Sequence, residues 1–311
     1  MTLDPQLAEI LEIAAKAGRP PLDALPVADA RREYKKRADT FGLAPAEMFA
    51  VVERSIAGPA GPVPVRLYVP VGCPDPSPFL VFFHGGGWTV GDRDTHDRAC
   101  RFLAEAARCR VASVDYRLAP EHPFPAAVED CWAAYESIAG NVAAWDADPR
   151  RIAVGGDSAG GNLAAVVAQM AKARREPAPC FQLLIYPATD MAGTYPSIAA
   201  FGKGYLLTQS MIESFMGYYT PEPAARRDPR ASPLLGNLAG LAPAFVQTAG
   251  FDPLQDEGAA YAKALAAAGV RAEHRHYPSL VHGYLQLAGY CKAARAAVDD
   301  AAKALRAALA A

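Results

Sequence analysis

Apolar residues along this chain fall into two kinds of run that take turns. Short runs rich in β-branched and aromatic residues recur at 79–83, 111–114, 152–154, 181–185 and 245–248, with a more polar one at 272–276. They are too short for helices and suit strands buried in a sheet. Between them lie longer stretches with helical spacing or alanine-rich composition: 97–107, 126–138, the run after residue 158, and a closing run from about residue 290. Strand and helix in this rhythm predict a mostly parallel sheet with helices on both faces. Residues 49–56 and 63–69 instead alternate apolar and polar positions at period two around the turn Gly58-Pro59-Ala60-Gly61-Pro62. That pattern predicts an antiparallel hairpin at a sheet edge, and brings the expected sheet to about eight strands.

Two regions fall outside the rhythm. Residues 1–48 read as helices, with Leu7, Ile10, Leu11 and Ala14 on one face and a charged, alanine-spaced run over 28–38. Residues 190–238 contain prolines, glycines and a helix-like run over 207–219, but no convincing strand. An insertion of that length is more often a lid or binding region than a linker. The expected organisation is therefore an N-terminal helical cap segment (1–48) and an α/β domain (49–311) whose insertion at about 190–238 completes the cap.

Composition narrows the classes. The 311 residues are 51% hydrophobic with a formal net charge of −2, which fits a soluble globular chain and gives no reason to expect nucleic acid as a partner. The sequence starts without a basic region followed by an apolar run, and no apolar stretch is long enough to span a bilayer. The expected location is cytoplasmic. The six cysteines are scattered without a C-x-x-C pair, so they read as reduced thiols, and neither a metal nor a cofactor is expected.

The candidate chemistry gathers around Gly156-Asp157-Ser158-Ala159-Gly160, set between the short run 152–154 and an alanine-rich helix. A serine between a strand and a helix with glycines two residues to either side fits a nucleophile elbow. The pentapeptide alone also recurs by chance, so its context must decide. A serine hydroxyl needs a base within reach and a group to orient that base. His282, in Leu280-Val281-His282-Gly283-Tyr284, follows the last strand and is the best-placed histidine. His96 and His122 lie upstream of Ser158, and His274 and His276 fall inside a strand. For the acid, Asp252 follows the run 245–248 directly, with Asp256 and Glu257 as rivals that read better as a helix start. His84-Gly85-Gly86-Gly87-Trp88, after the run 79–83, offers backbone amides with no side chains in the way, and the amide of Ala159 can add another. A flexible turn is the plain alternative. Asp115-Tyr-Arg-Leu-Ala-Pro-Glu121 reads as structural, with Arg117 and Glu121 paired locally.

Taken together, His84-Gly-Gly-Gly-Trp88, Asp115 to Glu121, Gly156-Asp-Ser-Ala-Gly160, Asp252-Pro-Leu254 and His282-Gly-Tyr284 resemble the hormone-sensitive-lipase family of carboxylesterases, from about residue 50 to the end. The resemblance implies an α/β-hydrolase fold with a helical cap, and hydrolysis of short- to medium-chain carboxylic esters. It implies Ser158 as nucleophile, His282 as base, Asp252 as orienting acid, and the amides of Gly86, Gly87 and Ala159 as oxyanion hole. Tyr284 departs from the family's common phenylalanine. Trp88, Leu206, Phe215 and Tyr219 are candidates for the walls of the substrate pocket. The expected partner is a small-molecule ester, with a homodimer left open. Amide, formamide or lactone hydrolysis on the same groups is the first alternative, and a non-catalytic receptor on a hydrolase scaffold the second.

Overall fold

The computed structural model describes residues 2–18 and 20–310; Met1 and Arg19 of the N-terminal segment, and Ala311, lie outside them. The sheet has eight strands: β1 (Met48–Gly58), β2 (Gly61–Pro70), β3 (Ser77–Phe83), β4 (Arg110–Val114), β5 (Ala147–Asp157), β6 (Phe181–Ile185), β7 (Ala244–Phe251) and β8 (Ala272–Val281). Their spatial order is β1-β2-β4-β3-β5-β6-β7-β8. The predicted hairpin sits at one edge, with β1 antiparallel to β2 and β2 antiparallel to β4. All other neighbours are parallel.

Period-two alternation within β3 shows why residues 79–83 read as an unbroken apolar run. Phe79, Val81 and Phe83 face one core, shared with α4 (Ala126–Gly140), α6 (Ala159–Arg174) and α9 (Gln255–Ala267). Leu80 and Phe82 face the other, shared with α3 (Asp97–Ala107) and α10 (Lys292–Leu309). Both sides of the strand are dry, so no polar position interrupts it. A short helix α5 (Val142–Trp145) leads into β5.

The N-terminal segment divides. Helix α1 (Pro5–Lys16) is capped by Asp4, whose side chain accepts from the Gln6 amide. It buries Leu7 and Ile10 in the core that holds α10. Helix α2 (Val27–Phe41) turns away and joins the insertion, which carries α7 (Pro196–Phe201), α8 (Gln209–Tyr219) and two 3-10 turns. Leu22 and Ala30 on the N-terminal side form one cluster with Met211 and Phe215 of α8 and with Val90. The two regions that break the strand–helix rhythm thus meet each other across the Val90 loop. Among the described residues, no helix is long and apolar enough to cross a membrane.

Candidate active site

Four strands end on the residues that matter. The carboxyl ends of β3, β5, β7 and β8 deliver His84, Ser158, Asp252 and His282, each one residue past its strand. Ser158 is held at φ +55°, ψ −118°, outside the regions a serine visits freely. Such strain costs about 1–3 kcal/mol and persists only where surroundings impose it. Here the Ser158 amide donates to Ile185 O at 2.9 Å, and its carbonyl accepts from the amides of Asn162 and Ala188. A Cβ on Gly160 would fall inside the Phe83 carbonyl, and one on Gly156 would strike both Gly160 and Phe83. The glycines are required because the elbow, α6 and β3 touch backbone to backbone.

His282 Nε2 lies 2.9 Å from Ser158 Oγ, and His282 Nδ1 lies 2.8 Å from Asp252 Oδ2. The other Asp252 oxygen accepts from the Leu254 amide at 2.8 Å. Asp252 is fully buried, while Ser158 remains partly open to solvent. With Nδ1 donating to the carboxylate, Nε2 is left as the acceptor facing the serine hydroxyl. The rival acids are engaged elsewhere. Asp256 Oδ2 accepts from the Ser197 amide at the start of α7. Glu257 is buried and accepts from the amides of Thr189 and Asp190. Burial pushes its carboxyl up to about 8, against the pull of those two amides.

The glycine loop turns sharply after β3, with Gly86 at φ +122° and Gly87 at φ +58°. Gly86 O accepts from the amides of Thr89 and Val90, and Gly87 O accepts from Thr89 Oγ1. A Cβ on Gly87 would run into the Phe215 ring, so α8 rests directly on this loop. The carbonyls of both glycines are therefore tied back, and the Ala159 amide opens α6, where the helix dipole adds positive potential.

A family described as alpha/beta hydrolase fold matches residues 80–286. Carboxylic ester hydrolase LipN of Mycobacterium tuberculosis is 47% identical over 319 residues, spanning 98% of this chain and 83% of the relative. The chain belongs to the family IV carboxylesterase branch of the α/β-hydrolases. Ethyl acetate hydrolase of Pseudomonas putida is 39% identical across 92% of this chain and 93% of its own. Among solved structures, an ester hydrolase from the metagenome of Lake Arreo, complexed with a derivative of bipyridine phosphonate, is 43% identical, superposes with a TM-score of 0.96 and covers 100% of both chains.

Within this family IV fold, other sequence expectations meet the structure unevenly. Trp88 and Tyr219 are buried and stack face to face, with ring centroids 4.5 Å apart and planes within 2°. They pack behind the glycine loop rather than presenting a free surface. Phe215 is buried against Gly87, and Leu206 is half-buried in the cluster that contains Phe251. The local Arg117–Glu121 pair does not form. Arg117 forks onto Asp130 through Nε and Nη2, both at 2.8 Å, and Glu121 is taken by Arg31. Neighbours in sequence were the wrong guide, because the chain turns between them. His274 and His276 both reach Thr248 Oγ1 on the neighbouring strand, away from Ser158. The Tyr284 hydroxyl donates to Gln247 Oε1 at 2.7 Å in the core, so the departure from phenylalanine is satisfied internally.

Asp157, inside the elbow motif, has a part that sequence reasoning missed. Its Oδ1 accepts from the Gly85 amide at 2.9 Å and lies 3.1 Å from His96 Nε2. Burial alone would raise this carboxyl, but His96 and the Gly85 amide outweigh it and hold it below the usual range. His84, stacked on Tyr116 at 4.3 Å, is pushed down to about 4 by burial and by His96. It stays neutral under the loop while Tyr116 donates to its carbonyl. Among the described residues, no group of three or more His, Cys, Asp or Glu side chains is placed to hold a metal ion.

Proposed function

We propose that the protein is a serine carboxylesterase acting on short- to medium-chain esters through an acyl-enzyme. The observation that carries this reading is the continuous relay from Ser158 Oγ through His282 to Asp252, at 2.9 and 2.8 Å, on a strained elbow. Ser158 Oγ attacks the ester carbonyl while His282 Nε2 takes its proton. Charge developing on the carbonyl oxygen is met by the amides of Gly86, Gly87 and Ala159. His282 then gives its proton to the departing alcohol, and a water repeats the sequence against the acyl-serine. Asp252 keeps the imidazole in the tautomer that leaves Nε2 free.

The names of the relatives support ester hydrolysis over the amide and lactone alternatives. The cap is assigned to the N-terminal segment and the insertion 190–238, supported by their shared cluster over Val90. Leu206 and Phe215 are then the better candidates for pocket walls, with Trp88 and Tyr219 supporting them from behind. Cytoplasmic residence fits six cysteines that are all unpaired. Whether the protein is a homodimer is open to sedimentation analysis; β8, with exposed residues at the open edge of the sheet, is the surface to examine. The direct test is turnover of a short p-nitrophenyl ester. Ser158→Ala should lose roughly 10⁴-fold or more of kcat. Undiminished turnover by that variant, or none by the wild type across an ester panel, refutes the assignment.

A further inference from the structure

The N-terminal segment sends one side chain to the back of the glycine loop. Arg31, on α2, donates from Nε to Thr89 O at 2.9 Å and from Nη2 to Ala119 O at 3.1 Å. Its Nη1 and Nη2 fork onto the two carboxylate oxygens of Glu121 at 2.8 and 2.7 Å. The residues it grips are those that hold the loop. Thr89 ties back the carbonyls of Gly86 and Gly87 through its amide and hydroxyl, and the Ala119 amide donates to Trp88 O at 2.8 Å.

We propose that Arg31 is a positioning residue: it braces residues 86–89 from the cap side, so that seating of α2 fixes the aim of the Gly86 and Gly87 amides. This rests on the esterase reading above, in which those amides meet the oxyanion. Glycines at φ +122° and +58° carry no side chains to lock their peptides, so preorganisation must be imposed from outside. A planar guanidinium can hold two carbonyls and a carboxylate at once, whereas a lysine ammonium cannot reproduce the fork. The Glu121 carboxyl is held below its usual range, chiefly by its hydrogen bond to Arg31. The Arg31 and Glu121 side chains are 31% and 52% exposed, so their ion pair contributes little to stability. The loss of Arg31 should therefore appear in rate more than in melting.

The test compares wild type with Arg31→Ala on a short p-nitrophenyl ester. The expected result is a fall of about tenfold in kcat, a modest share of what a lost oxyanion donor costs, with KM changed less than about threefold. Millimolar guanidinium ion, against a matched sodium chloride control, should restore part of the lost rate, and Arg31→Lys should fall between the two. Arg32→Ala, next along the same helix and paired with Asp29 on the exposed side, should behave as wild type. Hydrogen exchange over residues 84–91 should quicken in Arg31→Ala, a readout independent of turnover. Unchanged kcat, unchanged exchange, or a loss that follows a lowered Tm without guanidinium rescue overturns the brace. Absence of ester turnover by the wild type would instead sink the esterase reading, and the exchange measurement would still decide the brace.

Discussion

Asp252 has both oxygens committed, one to His282 Nδ1 and one to the Leu254 amide. An asparagine there keeps the volume but loses the charge, and only one of its two side-chain positions still accepts. We expect Asp252→Asn to fold normally and to lose about 10⁴-fold in kcat, because the imidazole no longer holds the tautomer that leaves Nε2 free for the serine. Steady-state kinetics on a short ester decides it, and a loss under tenfold would mean that another group orients His282. Gly160 sets the opposite kind of limit, on space rather than charge. Its missing side chain is what lets α6 meet the Phe83 carbonyl, so Gly160→Ala should cost about 3 kcal/mol or more in urea unfolding. Near-wild-type stability would show that β3 and α6 can move apart. Both residues were legible in the sequence, since their motifs specify chemistry and backbone approach. Arg31 was not, because nothing near it in the chain announces a partner ninety residues away.

At the scale of elements, local pattern predicted what local forces determine. The strand at 181–185 and the helix at 97–107 lie where the apolar runs place them. β8 runs on to Val281, beyond the polar run at 272–276, because pairing of Phe251 with Val281 carries the strand forward. The division of the N-terminal segment, with α1 in the core that holds α10 and Leu22 and Ala30 in the cluster that holds α8, was invisible for a similar reason: amphipathic spacing shows that a face is buried but not against what. Helix α8 gives a test at this scale. Phe215 fills the space over Gly87 and joins Leu22, Ala30, Val90 and Met211 in one cluster. Phe215→Ala should cost about 3–5 kcal/mol if the cluster is folded as one unit with the body of the protein. Chemical denaturation followed by both intrinsic fluorescence and circular dichroism checks it. A loss below 1 kcal/mol, or two separate transitions, would mean that α8 and the residues clustered with it fold independently of the sheet.

On the scale of the whole molecule, the parallel sheet brings four strand ends to one side, and the insertion is pinned to that side by a buried carboxyl. Glu257, in the first turn of α9, reads from sequence as a helix start, and its position in the chain does not reveal its burial. The fold places it under Thr189 and Asp190, where the insertion leaves the sheet. Its folded-state pKa, raised by burial from an ordinary 4.5 to about 8, makes global stability depend on pH. Between those values the folded chain keeps a proton that the unfolded chain has released. This contribution is fully present below about 4.5 and is lost as pH rises to about 8, with a slope of up to about 1.4 kcal/mol per pH unit. Glu257→Gln keeps an oxygen to accept from Thr189 and cannot ionise. The unfolding free energy of the wild type relative to this variant should therefore fall steadily from pH 5 to pH 8, while every other titrating group cancels in the comparison. A difference that stays flat across that window would mean that the carboxylate is already ionised in the fold. The two amides, rather than burial, would then set the charge at the point where the insertion joins the sheet.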